Sequence, residues 1–132
     1  MSTYRFVLKA AVGLLLAATP TLAHHSFMAE YDESRLINLS GTVTKVYWKN
    51  PHVTFDLDVN DGGGKATNWE LELGSPNALL SQGWKVDSLK RGARVAVTGF
   101  GARNGSHLAN AIKVVLGGTT YSAIRDENRS RK

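Results

Sequence analysis

Residues 41–73 constrain the fold most, because two runs that alternate apolar and polar side chains flank a glycine-rich hexapeptide. Every second residue is apolar in the first run, residues 53–59, and the second run, residues 69–73, repeats the pattern. A period of two with one apolar face is typical of a half-buried antiparallel strand. The hexapeptide, residues 60–65, contains three consecutive glycines, which tolerate positive φ. We therefore predict a β-hairpin with one face that the rest of the chain must cover.

Residues 1–23 have the composition of an export signal. Arg5 and Lys9 precede an apolar run that ends in small residues, and its length is that of a signal-peptide core rather than of a membrane span. We expect cleavage after Ala23, which would make His24 the N-terminus of an exported protein with no membrane insertion after signal removal. The chain contains no cysteine, so we expect neither a lipidated thiol nor a disulfide.

The size and charge of the mature chain limit the number of domains it can form and the partners it can bind. Cleavage would leave 109 of the 132 residues, enough for one small domain with a single core. The signal takes two of the 16 basic residues, which leaves 14 against 11 acidic ones and a net charge of +3. Two of these excess charges lie at residues 125–132, so the folded part is near neutral. We expect no nucleic-acid partner.

The predicted elements follow the order of three strands, one helix and two strands. The first strand shows a one-residue phase slip after Lys45, which is typical of a β-bulge or of a strand that bends to serve two sheets. Ser75 and Pro76 begin a short helix as N-cap and first helical residue, and Gly83 ends it. Asn104-Gly105 predicts a hairpin between the last two strands. This order indicates an all-β fold, a small OB-like five-stranded barrel with its helix between strands 3 and 4.

Four parts are predicted: the signal peptide at residues 1–23, an N-terminal arm at 24–35, the OB-like domain at 36–124 and a disordered polar tail at 125–132. The arm shows neither the strand nor the helix period, and Phe27 and Tyr31 are the residues expected to pin it to the domain. The predicted core consists of the apolar residues in the inward phase of the strands and around the helix: Val43, Val46, Trp48, Val53, Phe55, Leu57, Trp69, Leu71, Leu79, Leu80, Trp84, Val95, Val97, Ile112 and Val114.

Several spaced motifs cover the mature chain. They are Ala23-His24-His25-Ser26-Phe27, Gly41-Thr42-Val43, Trp48-Lys49-Asn50-Pro51-His52, Trp69-Glu70-Leu71-Glu72-Leu73-Gly74-Ser75-Pro76-Asn77-Ala78-Leu79 and Gly83-Trp84. In this order the chain resembles a family of small exported proteobacterial proteins known as domain of unknown function 6152. The resemblance implies a bacterial periplasmic protein and implies no activity, so expectations about function come from the residues themselves.

The four histidines are the candidate metal ligands. If cleavage frees His24, its amine and its Nδ1 can chelate one ion together, and a further imidazole would complete a three-nitrogen brace that suits Cu(II). His52 and His107 are the available partners, and His25 could bind through its own ring. Imidazoles without thiolates favour copper or zinc. The alternative is that the two N-terminal histidines lie in a mobile terminus and that His52 caps a turn.

Trp48, Asn50 and His52 form a second candidate site, for a small ligand. In OB-type barrels the loop after strand 1 borders the usual binding face, so these side chains could present an indole, an amide and an imidazole to a small solute or peptide. The alternative places Trp48 in the core, Asn50 in an Asx turn and His52 on a backbone carbonyl.

Four carboxylates share the polar face of the predicted hairpin: Asp56, Asp58, Glu70 and Glu72. A turn centred near Gly63 would place Asp56 opposite Glu70, and like charges in this position destabilise a strand pair. Neighbouring lysines, a bound cation or arginines of a partner would relieve the repulsion. A solvated acidic face is the simpler interpretation.

The sequence contains no nucleophile elbow and no phosphate-binding loop that opens a helix, so a catalytic site is not indicated. We expect a non-enzymatic periplasmic binding protein with copper or zinc as its candidate ligand. The alternative is an interaction module that docks without a metal on another envelope protein, through the acidic hairpin face or a sheet edge. An oxidative copper enzyme that uses the same brace is a third class.

Overall fold

The computed structural model describes residues 27–124, which contain six strands, a helical turn at residues 27–30 and one further helix. The elements are β1 (Tyr31–Tyr47), β2 (Thr54–Asn60), β3 (Ala66–Glu72), α1 (Pro76–Ser81), β4 (Arg94–Ala102), β5 (Leu108–Leu116) and β6 (Thr119–Ser122). The predicted signal peptide, His24, His25 and the predicted tail lie outside the described residues. Within them, no helix has the length and apolarity that a membrane span requires.

The strands form one sheet in the order β3-β2-β1-β4-β5-β6, and β3 pairs in addition with β5. The β3–β5 pairing is parallel and joins residues 70–72 to residues 108–110, whereas the other pairings are antiparallel. Backbone hydrogen bonding therefore closes into a ring of five strands, β1-β2-β3-β5-β4. The predicted all-β class and the position of the helix between β3 and β4 are confirmed.

A sixth strand, β6, corrects the predicted count of five. Gly117 and Gly118 both have positive φ, at 56° and 80°, and reverse the chain so that β6 pairs with the last part of β5. Two consecutive residues with positive φ are the requirement of a tight two-residue hairpin turn. β6 thus lies on the same edge of β5 as β3, beside residues 113–116, which the parallel pairing with β3 does not reach.

β1 begins at Tyr31, so residues 31–35, which the sequence assigns to the arm, belong to the first strand. Tyr31 pairs with Ala102 of β4, and the register then shifts before Leu36 pairs with Phe100. The strand is exposed between these two points, so it shows no alternating apolar residues. The pattern could not reveal this part of the strand.

The predicted bulge in β1 is confirmed. Val43 lies opposite Leu57 of β2, whereas Lys45 lies opposite Asp56, so one residue of β1 has no counterpart on β2. Because one residue is inserted, each side chain after it points to the opposite face from the one that strict alternation would give it. Val43 and Val46, although three positions apart, therefore both face the core.

The capping residues of α1 are those that the sequence predicts. The Ser75 hydroxyl accepts a hydrogen bond from the Ala78 N–H at 3.2 Å. At the other end Gly83 has a φ of 92°, and the Trp84 N–H donates to the Leu79 carbonyl at 3.1 Å. This is the Schellman arrangement, in which the residue after the glycine returns to the last turn of the helix. The returning Trp84 is buried.

The core lies inside the ring, and most of its predicted members are buried or pack against it. The prediction of Leu80 as a core residue is wrong, because Leu80 is 46% exposed. A helix of six residues can present only one stripe to the core, and Ala78 and Leu79 occupy it. Ile112 is only half-buried. Buried residues that the sequence analysis did not include are Phe27, Tyr31, Leu73, Ala78, Leu89, Ala102, Ala109, Asn110, Ala111 and Ala123.

Candidate functional site

A surface cleft of about 470 Å³ lies where the loop after β1 meets the outer face of the β2–β3 hairpin. Its lining comes from the end of β1, from the β1–β2 loop and from the outward-facing positions of β2 and β3: Tyr47, Lys49, Asn50, Pro51, His52, Thr54, Asp56, Glu70 and Glu72. Three of these side chains are carboxylates and one is a lysine. The cleft is therefore acidic and favours a cationic ligand.

Glu72, the last residue of β3, joins two distant parts of the chain. Its Oε1 lies 2.9 Å from Nδ1 of His52, and its Oε2 accepts a hydrogen bond of 2.5 Å from the Tyr31 hydroxyl. The side chains of His52 and Glu72 are only 26% and 13% exposed, and Tyr31 is fully buried. The start of β1 and the loop after β1 are thus connected through one carboxylate.

Arg103 fixes the segment that carries Tyr31. Its guanidinium donates to the carbonyls of Met28, at 3.0 Å, and Tyr31, at 3.2 Å, and its backbone N–H donates to the Glu30 carbonyl at 2.8 Å. Phe27 is buried, and its ring centroid lies 5.2 Å from that of Tyr31. The helical turn at residues 27–30 is therefore anchored on the β4–β5 loop, close to the Tyr31–Glu72–His52 network.

The backbone after the cis peptide bond Asn50-Pro51 sets the position of His52. The Val53 N–H donates to the Gly74 carbonyl at 3.0 Å, and the Leu73 N–H donates to the Val53 carbonyl at 2.8 Å. These two bonds extend the β2–β3 ladder by one step beyond Glu72 and hold the residue after His52 against the end of β3. The imidazole reaches the Glu72 carboxylate from a backbone that is held at the next residue, Val53.

The acidic hairpin face is arranged as the sequence predicts. Asp56 lies directly opposite Glu70, and on its other side it lies opposite Lys45 of β1. Asp58 is paired differently, because its Oδ1 accepts a hydrogen bond of 2.7 Å from the Asn68 amide. Asp56 and Glu70 line the cleft, whereas Asp58 does not.

One of the side chains that line the cleft, that of Lys49, is itself cationic. The ammonium of Lys49 is 5.7 Å from the centroid of the Tyr47 ring, within the range of a cation–π contact. Lys49 and Tyr47 both line the cleft and are both exposed. The cleft thus combines an aromatic ring with carboxylates, and both attract positive charge.

The other candidate ligands are separated by the fold. Asn50 and His52 line the cleft, but Trp48 is half-buried against the core and does not. His107 is exposed and lies outside the cleft, with its ring centroid 4.9 Å from that of Trp69. Among residues 27–124, no group of three or more His, Asp or Glu side chains is placed to hold a metal ion.

Tyr31 is the site residue that the sequence analysis missed. It is separated from Glu72 by 41 positions, so no local spacing connects the two. The interpretation of the arm as pinned by Phe27 and Tyr31 identified a packing role for the ring and no partner for the hydroxyl. A buried tyrosine hydroxyl needs a hydrogen-bond partner, but the sequence does not say which one.

The profile of a family described as "Family of unknown function (DUF6152)" matches residues 11–111 of the chain. The matched range includes every residue that lines the cleft, together with Tyr31. No curated protein matches the chain.

Proposed function

We propose that this chain, which belongs to the family of unknown function DUF6152, is an exported, non-enzymatic binding protein of the periplasm. Its proposed ligand is one copper or zinc ion, held between His52 in the cleft and the mature N-terminal residue, His24. We also propose that the five-strand ring is an OB-like barrel, since an OB fold has its helix between strands 3 and 4 and binds ligands beside the loop after strand 1.

The observation that carries the metal proposal is the contact of His52 Nδ1 with the Glu72 carboxylate at 2.9 Å. Histidines that bind metals almost always donate their other ring N–H to a carboxylate, a backbone carbonyl or a water, and this bond orients the ring. Here the carboxylate is itself bonded by the buried Tyr31 hydroxyl. The supporting shell of a metal-binding imidazole is therefore built from residues of the described fold.

Chain connectivity supports His24 as the second ligand. Phe27 follows His24 by three positions, and three residues span at most about 11 Å. Phe27 packs on Tyr31, whose hydroxyl bonds the same carboxylate as His52. This series of contacts supports the proposal that the amine and ring of His24 bind the same metal ion as His52. His25 would be within similar reach, whereas His107 lies outside the cleft.

Electrostatics favour a cation at this position. Asp56, Glu70 and Glu72 line the cleft, and Lys49 is its one lysine. A concave surface lined by one sign of charge raises the local concentration of the opposite charge. A dication would be attracted to the cleft before any ligand bond forms.

The test is the intact mass of the protein purified from the bacterial periplasm, under native and then denaturing conditions. We expect a denatured chain that starts at His24 and a native excess of one copper or zinc ion. His24→Ala, with the cleavage site preserved, should abolish the excess, and His107→Ala should retain it as the matched control. A chain that starts at His24 and binds no metal even when copper is supplied would refute the proposal.

A second candidate function is docking on a basic segment of another envelope protein, without a metal. The opposed pair Asp56 and Glu70 favours it, because partner lysines or arginines would relieve the repulsion. The contact of Lys49 with Tyr47 supports this candidate, since an aromatic ring of the cleft attracts an ammonium group. Chemical cross-linking in intact periplasm distinguishes the two functions. Docking predicts an adduct that survives metal chelation and is lost in Glu70→Gln but not in Asp87→Asn.

A further inference from the structure

We infer, resting on the proposed function, that Glu72 is a positioning residue that makes His52 bind the metal ion through Nε2, and that Tyr31 supports Glu72 in this role. Two side chains contact the single carboxylate of Glu72. Its Oε1 lies 2.9 Å from Nδ1 of His52, and its Oε2 lies 2.5 Å from the Tyr31 hydroxyl.

Glu72 is held by its backbone as well as by its side chain. It pairs with Thr54 of β2 on one side and with Asn110 of β5 on the other. The buried Asn110 amide also donates to the Glu72 carbonyl at 3.3 Å. A side chain on a strand with neighbours on both sides has little freedom to move, so its carboxylate is set before a ligand arrives.

The carboxylate determines the state of the imidazole. An Nδ1–H that donates to a carboxylate fixes the tautomer in which Nε2 carries the lone pair, and the negative charge makes the ring a stronger ligand. The Tyr31 hydroxyl binds the other oxygen and keeps the carboxylate turned toward His52. Removal of such an outer-shell partner lowers metal affinity by about 10–100-fold.

Glu70 provides the matched control. It is a carboxylate on the same strand and lines the same cleft, two residues before Glu72. Glu70→Gln removes the same charge as Glu72→Gln, but Glu70 lies opposite Asp56 and not beside the His52 ring. A loss that depends only on the charge of the cleft would be similar in both variants. A loss that depends on positioning would be clearly larger in Glu72→Gln than in Glu70→Gln.

The experiment is a competition titration of the mature protein with Zn²⁺ and Cu²⁺, on wild type, Glu72→Gln, Tyr31→Phe, Glu70→Gln and His52→Ala. We expect about 10–100-fold weaker binding in Glu72→Gln, smaller losses in Tyr31→Phe and in Glu70→Gln, and loss of the site in His52→Ala. Tyr31→Phe keeps the ring that packs on Phe27, so its effect reports the hydroxyl.

A second measurement does not depend on any variant folding. Long-range ¹H–¹⁵N correlation spectra of the wild-type zinc form should show His52 protonated at Nδ1 and bound through Nε2. Ligation through Nδ1, or equal affinities of Glu72→Gln and Glu70→Gln, would overturn the role of Glu72 while the metal site stands. Wild-type affinity in His52→Ala, or no metal binding by wild type, would overturn the proposed function itself.

Discussion

Asp56 and Glu70 lie directly opposite each other on β2 and β3, with both side chains on the outer face of the hairpin. Lys45 faces Asp56 from the other side, so the two carboxylates do not have equal neighbours. Asp56 lies between a lysine and a glutamate, whereas Glu70 lies between Asp56 and Leu108 of β5 and has no basic residue opposite it. The repulsion is therefore best relieved by neutralising Glu70.

Glu70→Gln should stabilise the protein, because it removes the charge that repels Asp56 and leaves Lys45 in place. Cross-strand pairs contribute about 0.2–1 kcal/mol, and we expect a gain in the lower part of this range. Urea denaturation at low salt measures it. Asp87→Asn is the control, since Asp87 is exposed and only 4.0 Å from Lys90. Equal gains in both variants would show that net charge, and not the pair, is responsible.

Leu79 and Leu80 are neighbours in α1 with opposite environments, at 0% and 46% exposed. Leu79→Ala should cost about 2–5 kcal/mol, because it leaves a cavity in the core. Leu80→Ala should cost much less, since half of that side chain is already in water. Thermal and urea unfolding of the two variants give the comparison. Similar losses in both would contradict the assignment of Leu79 as the core residue of the helix.

Gly41 lies where β1 crosses closely over β2. A Cβ at this position would collide with the backbone carbonyl of Asp58, which the ladder holds in place. Gly41→Ala should therefore destabilise the folded protein by about 1–3 kcal/mol or more, since this is the cost that is typical of overpacking. Gly63→Ala is the control, because its Cβ would meet only the flexible Asp61 side chain, at 3.3 Å. A Gly41 variant as stable as the Gly63 variant would exclude the close approach.

The pKa of Asp32 is lowered from its ordinary value of 3.8, chiefly because the Ser34 hydroxyl donates to its Oδ1 and then because the Ser34 N–H does so as well. Ser34→Ala removes the first bond and keeps the second, so the pKa of Asp32 should rise part of the way toward 3.8. A carboxyl ¹³C titration measures this shift, with Ser40→Ala as the control. An unchanged pKa in Ser34→Ala would contradict the hydroxyl bond.

The sign of the pH dependence follows from the direction of that shift. A carboxyl whose pKa is lowered on folding contributes its stabilisation above the unfolded pKa and loses it as the pH falls through the folded pKa. The contribution of Asp32 to the stability of the fold is thus fully present at neutral pH and is lost only below about pH 3.8. Ser34→Ala should reduce this acid-sensitive contribution and leave the neutral-pH fold intact.

The local features of the fold could be predicted from the sequence, because each depends on residues that are close in the chain. The alternation on both sides of the glycine hairpin gave the register that opposes Asp56 and Glu70, and the phase slip after Lys45 gave the bulge. Ser75 and Gly83 gave the ends of α1 through capping bonds that span three to five residues. Local geometry alone decides such features.

The candidate site was decided by the tertiary structure. The sequence placed His52 beside the hairpin, but the carboxylate that binds it and the Tyr31 hydroxyl behind that carboxylate meet only when the ring of strands closes. A contact across 41 positions has no period or spacing that a sequence pattern could record. The same closure places one leucine of α1 in the core and its neighbour in water. Which side chains meet is a property of the assembled ring, since each element alone allows many partners.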